Sequence, residues 1–600
     1  MDRVVAGSNP VRDAGPCSSA VERVRASADS ELGTTCVRAT RCADDGYFSG
    51  EVRKHAVRLR TPSSLRPRVA RTPRAPTPPG RRNNPMSKFN LKTLRRTKVQ
   101  SPITSETQPT GRTFEGGSGY ARGAKSELFL LAVTNMVGDH TFYESAPDRD
   151  NRFVELIHEV TLSDPEWTAR LIGWLRRDAH LRSASVVAAA EFVRARLGAG
   201  LHGGNRAVIS SALERADEPG EILAYWIARH GRSIPKPVKR GVADAAVRLY
   251  SERSLLKWDS DARDVRFGDV LELTHASPSA TWQGELFRHA IDRRQGRENT
   301  IPTGLRMLTE RAALAALPPE DRRAVLRTPE RLSAAGMTWE SLAGWLQGPM
   351  DAAAWQAVIP SMRYMALLRN LRNFDEARLP DHVAEQVAAR IADPGEVAKS
   401  RQLPMRFLAA YRNAPSLRWG HALERALGAS LSAVPSLPGR TLVLVDRSGS
   451  MFYSRVSARS ELTRADAAAV FGTVLAARAE RANLVEFGTE SRYVPFKHQP
   501  VLRVADSFGD LGGTDTASAV RKHYRDHDRV VIVTDEQATW GDPTRHVPAD
   551  VPVYTWNVAG YRHGHGPTGS ANRHTFGGLS DAGFSMIPLL EGTRNGEWPF

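Results

Sequence analysis

Residues 441–451 read Thr-Leu-Val-Leu-Val-Asp446-Arg-Ser448-Gly-Ser450-Met451, and this stretch decides the fold of the last third of the chain. Four apolar residues in a row, with no polar alternation, read as a strand buried on both faces, as in a parallel sheet covered by helices. The strand ends in a carboxylate, and hydroxyls follow two and four residues later. Open α/β sheets bind ligands at the carboxyl ends of their strands. Asp446, Ser448 and Ser450 thus place three oxygens on one loop. Such hard donors of low charge suit Mg²⁺, which keeps some of its waters.

Two more pieces lie downstream. Gly512-Gly-Thr514-Asp-Thr516 occupies a loop before a helix-like stretch, and Arg529-Val-Val-Ile-Val-Thr534-Asp535 is a second buried strand ending in a carboxylate. Asp-x-Ser-x-Ser, Gly-Gly-Thr and strand-Thr-Asp, in this order, resemble the metal-ion-dependent adhesion site of von Willebrand factor A domains. The resemblance implies that Ser448, Ser450 and Thr514 ligate the metal, and that Asp446 and Asp535 hold it directly or through water. Strands are predicted at 441–446, 483–487, 529–535 and 551–557, with helices at 459–481 and 516–526 between them. This is a doubly wound parallel sheet spanning 437–600, with its boundary near Val434-Pro-Ser-Leu-Pro-Gly439.

The same residues argue against an enzyme. A phosphohydrolase built on Asp446 needs a second carboxylate two residues on, and Ser448 stands there. There is no phosphate loop of the G-x-x-x-x-G-K-[ST] type and no H-E-x-x-H. His563 and His565 are spaced like a metal pair, but they sit in a Gly-rich segment with no third ligand in view.

Upstream, residues 121–436 follow a helical period. Apolar residues recur at three- and four-residue spacing in Leu128–Val137, Arg152–Val160, Trp167–Arg176, Ala184–Leu197 and Glu221–His230. Asp217, Asp269 and Asp381 mark helix starts, and short Pro or Gly breaks separate the segments. Many short helices in series read as an α-solenoid of degenerate repeats. Residues 86–120 read as a polar arm. Residues 1–85 are an Arg-, Pro- and Ser-rich extension that cannot offset its folding entropy. It reads as an RNA-binding tail, a transit peptide, or the product of a start codon placed upstream of true initiation at Met86. The shift in composition and cysteine use at that point favours the last.

The chain has 600 residues, 41% hydrophobic and 25% charged, which is the make-up of a globular protein of several domains. No apolar run approaches the ~20 residues that span a bilayer. Of the net charge of +17, residues 1–85 carry +8 and 437–600 carry none, leaving +9 on 86–436. A basic helical part beside a neutral one points to a polyanion bound by the helices. All three cysteines lie in the first 85 residues. The remainder therefore has no disulfide framework, in keeping with a reducing cytosol.

Further motifs sharpen this. Met365-Ala-Leu-Leu-Arg-Asn370-Leu, Phe267-Gly-Asp-Val-Leu-Glu-Leu-Thr-His275, Lys236-Pro-Val-Lys239-Arg240-Gly-Val-Ala-Asp244 and the closing Gly583-Phe584 segment resemble, in order, motifs of the Ro/TROVE family. The likeness covers about 115–600. It implies a ring of HEAT-like helical repeats closed by the A domain. It also implies binding of small noncoding Y RNAs and of the 3′ ends of misfolded RNAs, in concert with an exoribonuclease in RNA quality control or decay. The expected protein is a cytoplasmic, monomeric, non-enzymatic scaffold. Lys236, Lys239 and Arg240, at helical spacing, are the expected RNA contacts, beside the less specific pairs Arg176-Arg177 and Arg369/Arg372. Two departures are visible: Phe267 stands where the family often has a histidine, and Pro235 and Pro237 confine the basic helix to Lys236 onward. The alternative function is a metal-dependent protein-interaction module without an RNA role.

Overall fold

The computed structural model describes residues 101–600, apart from 135–137, 139, 403, 415, 432–433, 435, 457–460, 570–571 and 593–596. The extension 1–85 and the first part of the arm lie outside the described residues. From Ala124–Thr134 to Leu417–Ser430 helix follows helix, with no strand among the described residues. The five periodic stretches fall within Ala124–Thr134, Ala146–Ser163, Pro165–Arg177, Arg182–Gly198 and Glu218–His230, although Val137 itself is not described. Side chains cap two of these helix starts, Ser145 ahead of Ala146–Ser163 and Asp164 ahead of Pro165–Arg177. The Asp164 carboxylate accepts from the Trp167 amide at 3.0 Å, and Pro165 fits the first turn, where its missing N–H costs nothing. Asp217 does precede Glu218–His230, but its side chain serves Arg215 and caps nothing.

Residues 101–121 are not a free arm. They form a hairpin of β1 (Gly111–Arg112) and β2 (Ser118–Ala121), antiparallel, and β2 pairs with β8 (His563–Gly564) near the far end of the chain. The main sheet comprises β3 (Leu437–Asp446), β4 (Ala479–Phe487), β5 (Ser491–Tyr493), β6 (Arg529–Thr534), β7 (Val553–Asn557) and β9 (Arg573–Gly577), in the order β5-β4-β3-β6-β7-β9. The four expected strands are there. Two others were not expected: β9, which joins parallel to β7, and β5, which makes the edge antiparallel and the sheet mixed. Arg573-His-Thr-Phe-Gly carries no apolar run, and it becomes a strand only because β7 offers it a buried edge.

The apolar run of β3 is explained by its surroundings. Leu442 and Leu444 face one core, with Val530, Ile532 and Val520. Val443 and Val445 face the other, with Val531, Val533 and the helix Arg464–Arg478. That helix starts later than the expected 459. Thr463 and Asp466 form a capping box there, the hydroxyl accepting from the Asp466 amide and the carboxylate accepting from the Thr463 amide. Gly472 lets it lie close, since a Cβ there would collide with Val445.

The sheet unit touches both ends of the helical array. At the start, the buried guanidinium of Arg149 donates to the Ala559 carbonyl at 2.8 Å and pairs with Glu144 at 2.7 Å, and Arg152 donates to the Gly560 carbonyl at 2.9 Å. Trp598 and Phe600 pack on Phe129, Trp167 and Trp174. At the end, Arg412 bridges Asp466 and Asp506, and Glu424 accepts from the amides of Val501 and Leu502. The array is thereby closed on itself through the α/β unit.

Candidate metal centre and basic groove

Strand β3 lies between β4 and β6, where the sheet's winding reverses direction, and both β3 and β6 end in carboxylates at that point. Asp446 is fully buried, and both its oxygens are fixed: Oδ1 accepts from the Ser448 amide at 2.9 Å and Oδ2 from the Thr534 hydroxyl at 2.6 Å. Ser450 donates to Oδ2 of Asp535 at 2.7 Å, and its hydroxyl lies 3.3 Å from that of Ser448. The Gln537 amide donates to Oδ1 of Asp535 at 3.0 Å. Thr514 is brought in by its loop: the Gly449 amide donates to the Gly512 carbonyl at 2.7 Å, and Thr539 N–H donates to the Thr514 carbonyl at 3.2 Å. Asp515, the next residue, caps the helix Thr516–His523. Ser450 and Thr514 line an open pocket of about 480 Å³, whose wall also carries Glu115, Phe142 and Tyr453.

All five residues expected to form a metal site therefore converge. Burial, and then the charge of Asp446, push the Asp535 carboxyl up to about 7. Burial raises Asp446 as well, against the hydrogen bonds donated by Thr534 and Ser448. The buried guanidinium groups of Arg447 and Arg464 offset this only in part, the first acting on Asp446 and the second on Asp535. Two buried carboxylates that raise each other's cost of ionisation, with three hydroxyls around them, form an all-oxygen set. A small hard cation fits that set in both donor type and charge. The hydroxyl content also explains why no group of three or more His, Cys, Asp or Glu gathers among the described residues. That holds for His563 and His565 too: His565 is buried with both ring nitrogens unpartnered, and burial depresses its pKa.

The basic helix runs Lys236–Leu249, opening at Lys236 with proline in its first turn. Lys236 and Arg240 are exposed and line a groove of about 910 Å³ against the helix Asn205–Ala212, together with Arg206, Arg248 and Asp244. Lys239 is half-buried and does not line it. Arg206 is held in two bonds to Asp244, both 2.7 Å, and Arg248 donates to the Ser210 carbonyl at 3.1 Å. Lys236, Lys239 and Arg240 enter no ion pair among the described residues. The other basic pairs are structural in part: Arg176 serves the buried Glu218 at 2.8 Å, and Arg372 pairs with Glu376 one turn on. Phe267 is a core residue stacked on Tyr250, with ring centroids 3.8 Å apart.

Sequence reasoning did not single out Thr534 as the group that orients Asp446, nor Glu115 and Tyr143 at the mouth of the pocket. The first had a signal, the Thr-Asp ending of β6. The others come from a segment more than 300 residues upstream and had none.

A closed helical array joined to an α/β unit that bears an oxygen-donor site defines the class. Residues 331–436 match the family model of the TROVE domain. Among solved structures, the chain is similar to the crystal structure of the Deinococcus radiodurans RO (RSR) protein, at 17% identity and a TM-score of 0.56, over 78% of this chain and 99% of that one. No curated protein matches the chain in sequence. The chain thus carries a TROVE-domain match over residues 331–436 and shares the fold of that Ro protein.

Proposed function

We propose that this protein is a non-enzymatic RNA-binding scaffold. The observation that carries the reading is the groove between Asn205–Ala212 and Lys236–Leu249, in which the cations of Lys236 and Arg240 stand exposed and uncompensated. The TROVE match in the same helical array and the Ro-like fold support it. Phosphates are the complement of such a groove, because uncompensated Lys and Arg gain by releasing the counterions of a polyanion. The RNAs proposed are small noncoding Y-type RNAs and structured RNAs with free 3′ ends. The setting proposed is RNA quality control or decay beside an exoribonuclease, in the cytoplasm, with the protein as a monomer.

The C-terminal α/β unit is proposed to be a von Willebrand A-like domain with a metal-ion-dependent adhesion site. Ser448, Ser450 and Thr514 would hold Mg²⁺ with Asp446 and Asp535, and the ion would supply a Lewis-acidic docking point for a carboxylate. Phe142 and Tyr453 at the rim of the pocket favour a protein-interaction role for this face, alongside RNA binding or in its place. The test is the absorbance ratio at 260 and 280 nm of the purified protein, followed by filter binding to structured RNAs with and without single-stranded 3′ ends. Absence of nucleic acid together with Kd values above 10⁻⁴ M at physiological salt, about the weak end of non-specific binding, would leave the protein-interaction reading standing alone.

A further inference from the structure

The mouth of the metal pocket is built from the opposite end of the chain. Residues 113–117 form the tip of the β1–β2 hairpin, closed by hydrogen bonds of 3.0 Å from Thr113 N–H to the Gly117 carbonyl and from Gly116 N–H to the Thr113 carbonyl. The tip is pinned to the loop after β6. The Thr113 hydroxyl donates to the Ala538 carbonyl at 2.8 Å, and Phe114 N–H donates to the Gln537 side chain at 2.9 Å. Gly117 is required at this contact, since a Cβ there would run into the Ala538 carbonyl. Behind it, Arg122 pairs with the buried Glu536 at 2.5 Å.

A second segment, residues 141–145, comes over the same face. The Phe142 amide donates to the Ser454 hydroxyl at 2.9 Å. Tyr143 stacks flat on Phe114, with centroids 4.8 Å apart and planes 2° from parallel, and meets Tyr561 edge-on at 5.5 Å. Its hydroxyl bonds the Glu115 carboxylate on one side and reaches Ser450 on the other. Glu115, Ser450 and Thr514 share one pocket wall.

We propose that Glu115 is an internal carboxylate ligand of the metal face, held over it by Tyr143, so that the chain itself supplies the acidic group that a partner would otherwise bring. The proposal rests on the metal reading of Asp446, Ser448, Ser450, Thr514 and Asp535 given above. The chemistry is specific. A divalent cation held by two carboxylates and neutral hydroxyls retains coordination positions for water or one further anionic oxygen. Glu115 is the one acidic residue lining that pocket among the described residues, and its hairpin is pinned through Thr113, Phe114 and the following Arg122. Occupation from within fastens the N-terminal hairpin to the sheet and makes any partner carboxylate docking on this face displace Glu115.

The test uses the full chain and Mn²⁺ as the probe. Affinity is read by titration calorimetry, and metal-bound water by the relaxation enhancement of solvent protons. Glu115→Gln is expected to weaken Mn²⁺ binding about tenfold or more, by analogy with the loss of ligand charge or of groups supporting the ligands. It should also raise the relaxation enhancement and make it sensitive to added acetate, while the wild type ignores acetate. Tyr143→Phe keeps the ring stack but loses the hydroxyl, and should fall between the two. Asp446→Asn is the control. If it abolishes binding while Glu115→Gln changes neither affinity nor relaxation, the internal ligand is refuted and the metal site stands. If wild type and Asp446→Asn alike fail to bind Mn²⁺, the metal reading itself falls and the proposal with it. Thermal unfolding of each variant checks the fold, which should survive because Glu115 is exposed.

Discussion

Removing the cations of Lys236 and Arg240 gives the sharpest test of the basic groove. Both side chains are exposed, neither is in an ion pair, and Arg206 is already committed to Asp244. The double change to Ala should therefore delete about two phosphate contacts. At roughly 0.7–0.9 per contact, the slope of log affinity against log salt flattens by about 1.4–1.8. At 0.15 M salt, where each contact contributes that slope times the logarithm of the salt concentration, the loss is about 15- to 30-fold. Lys239→Ala should change the slope little, because Lys239 is half-buried away from the groove. The assay is filter binding of several structured RNAs from about 50 to 400 mM salt. Circular dichroism should show intact folds, since exposed substitutions cost within about 0.5 kcal/mol each. An unchanged slope in a folded double variant would refute the reasoning. So would an equal loss from Lys239→Ala, which would mean that the groove does not select among the three. A loss confined to one RNA would show base or shape reading in place of phosphate contact.

Other expectations follow from the metal centre and from the closure of the array. Asp446→Ala should abolish Mg²⁺ binding by calorimetry and leave the salt slope for RNA unchanged, because the groove lies in the helical array and the centre on the sheet; a parallel loss of RNA affinity in folded protein would tie the two together. Arg149→Ala removes the fully buried guanidinium that joins Glu144 to the Ala559 carbonyl, and should cost about 3 kcal/mol in urea unfolding, with faster proteolysis at the hairpin and the first helices. Glu191 should give the chain a pH-dependent term. Burial raises its pKa, but hydrogen bonds with His158, His230 and Tyr225 outweigh this and hold it near about 2, below the usual 4.5. A lowered folded-state pKa adds stability above about 4.5 that is lost as the pH falls towards 2, so Glu191→Gln should lower the unfolding free energy from urea titration at pH 7 by up to about 3 kcal/mol, with the gap to wild type closing below pH 4.5.

The sequence by itself determined the elements whose pattern is local. An apolar run ending in a carboxylate specifies β3, because four consecutive apolar side chains have nowhere to go but two cores, and Leu442 and Val443 do point into different ones. Three- and four-residue spacing specifies the helices for the same reason, and the hydroxyls after Asp446 announce an oxygen-donor loop before any fold is known. Tertiary structure alone decided the rest. Strand β9 has little strand character of its own and exists because β7 presents an unpaired edge. Lys236, Lys239 and Arg240 look alike on a helical wheel, and only the packing of Asn205–Ala212 separates two groove residues from a third. Glu115 and Tyr143 come to the metal pocket from more than 300 residues away in the chain. No local pattern encodes such a meeting, because it depends on closing the whole helical array on the sheet, and that closure is fixed by Arg149, Arg412 and the terminal aromatics acting together.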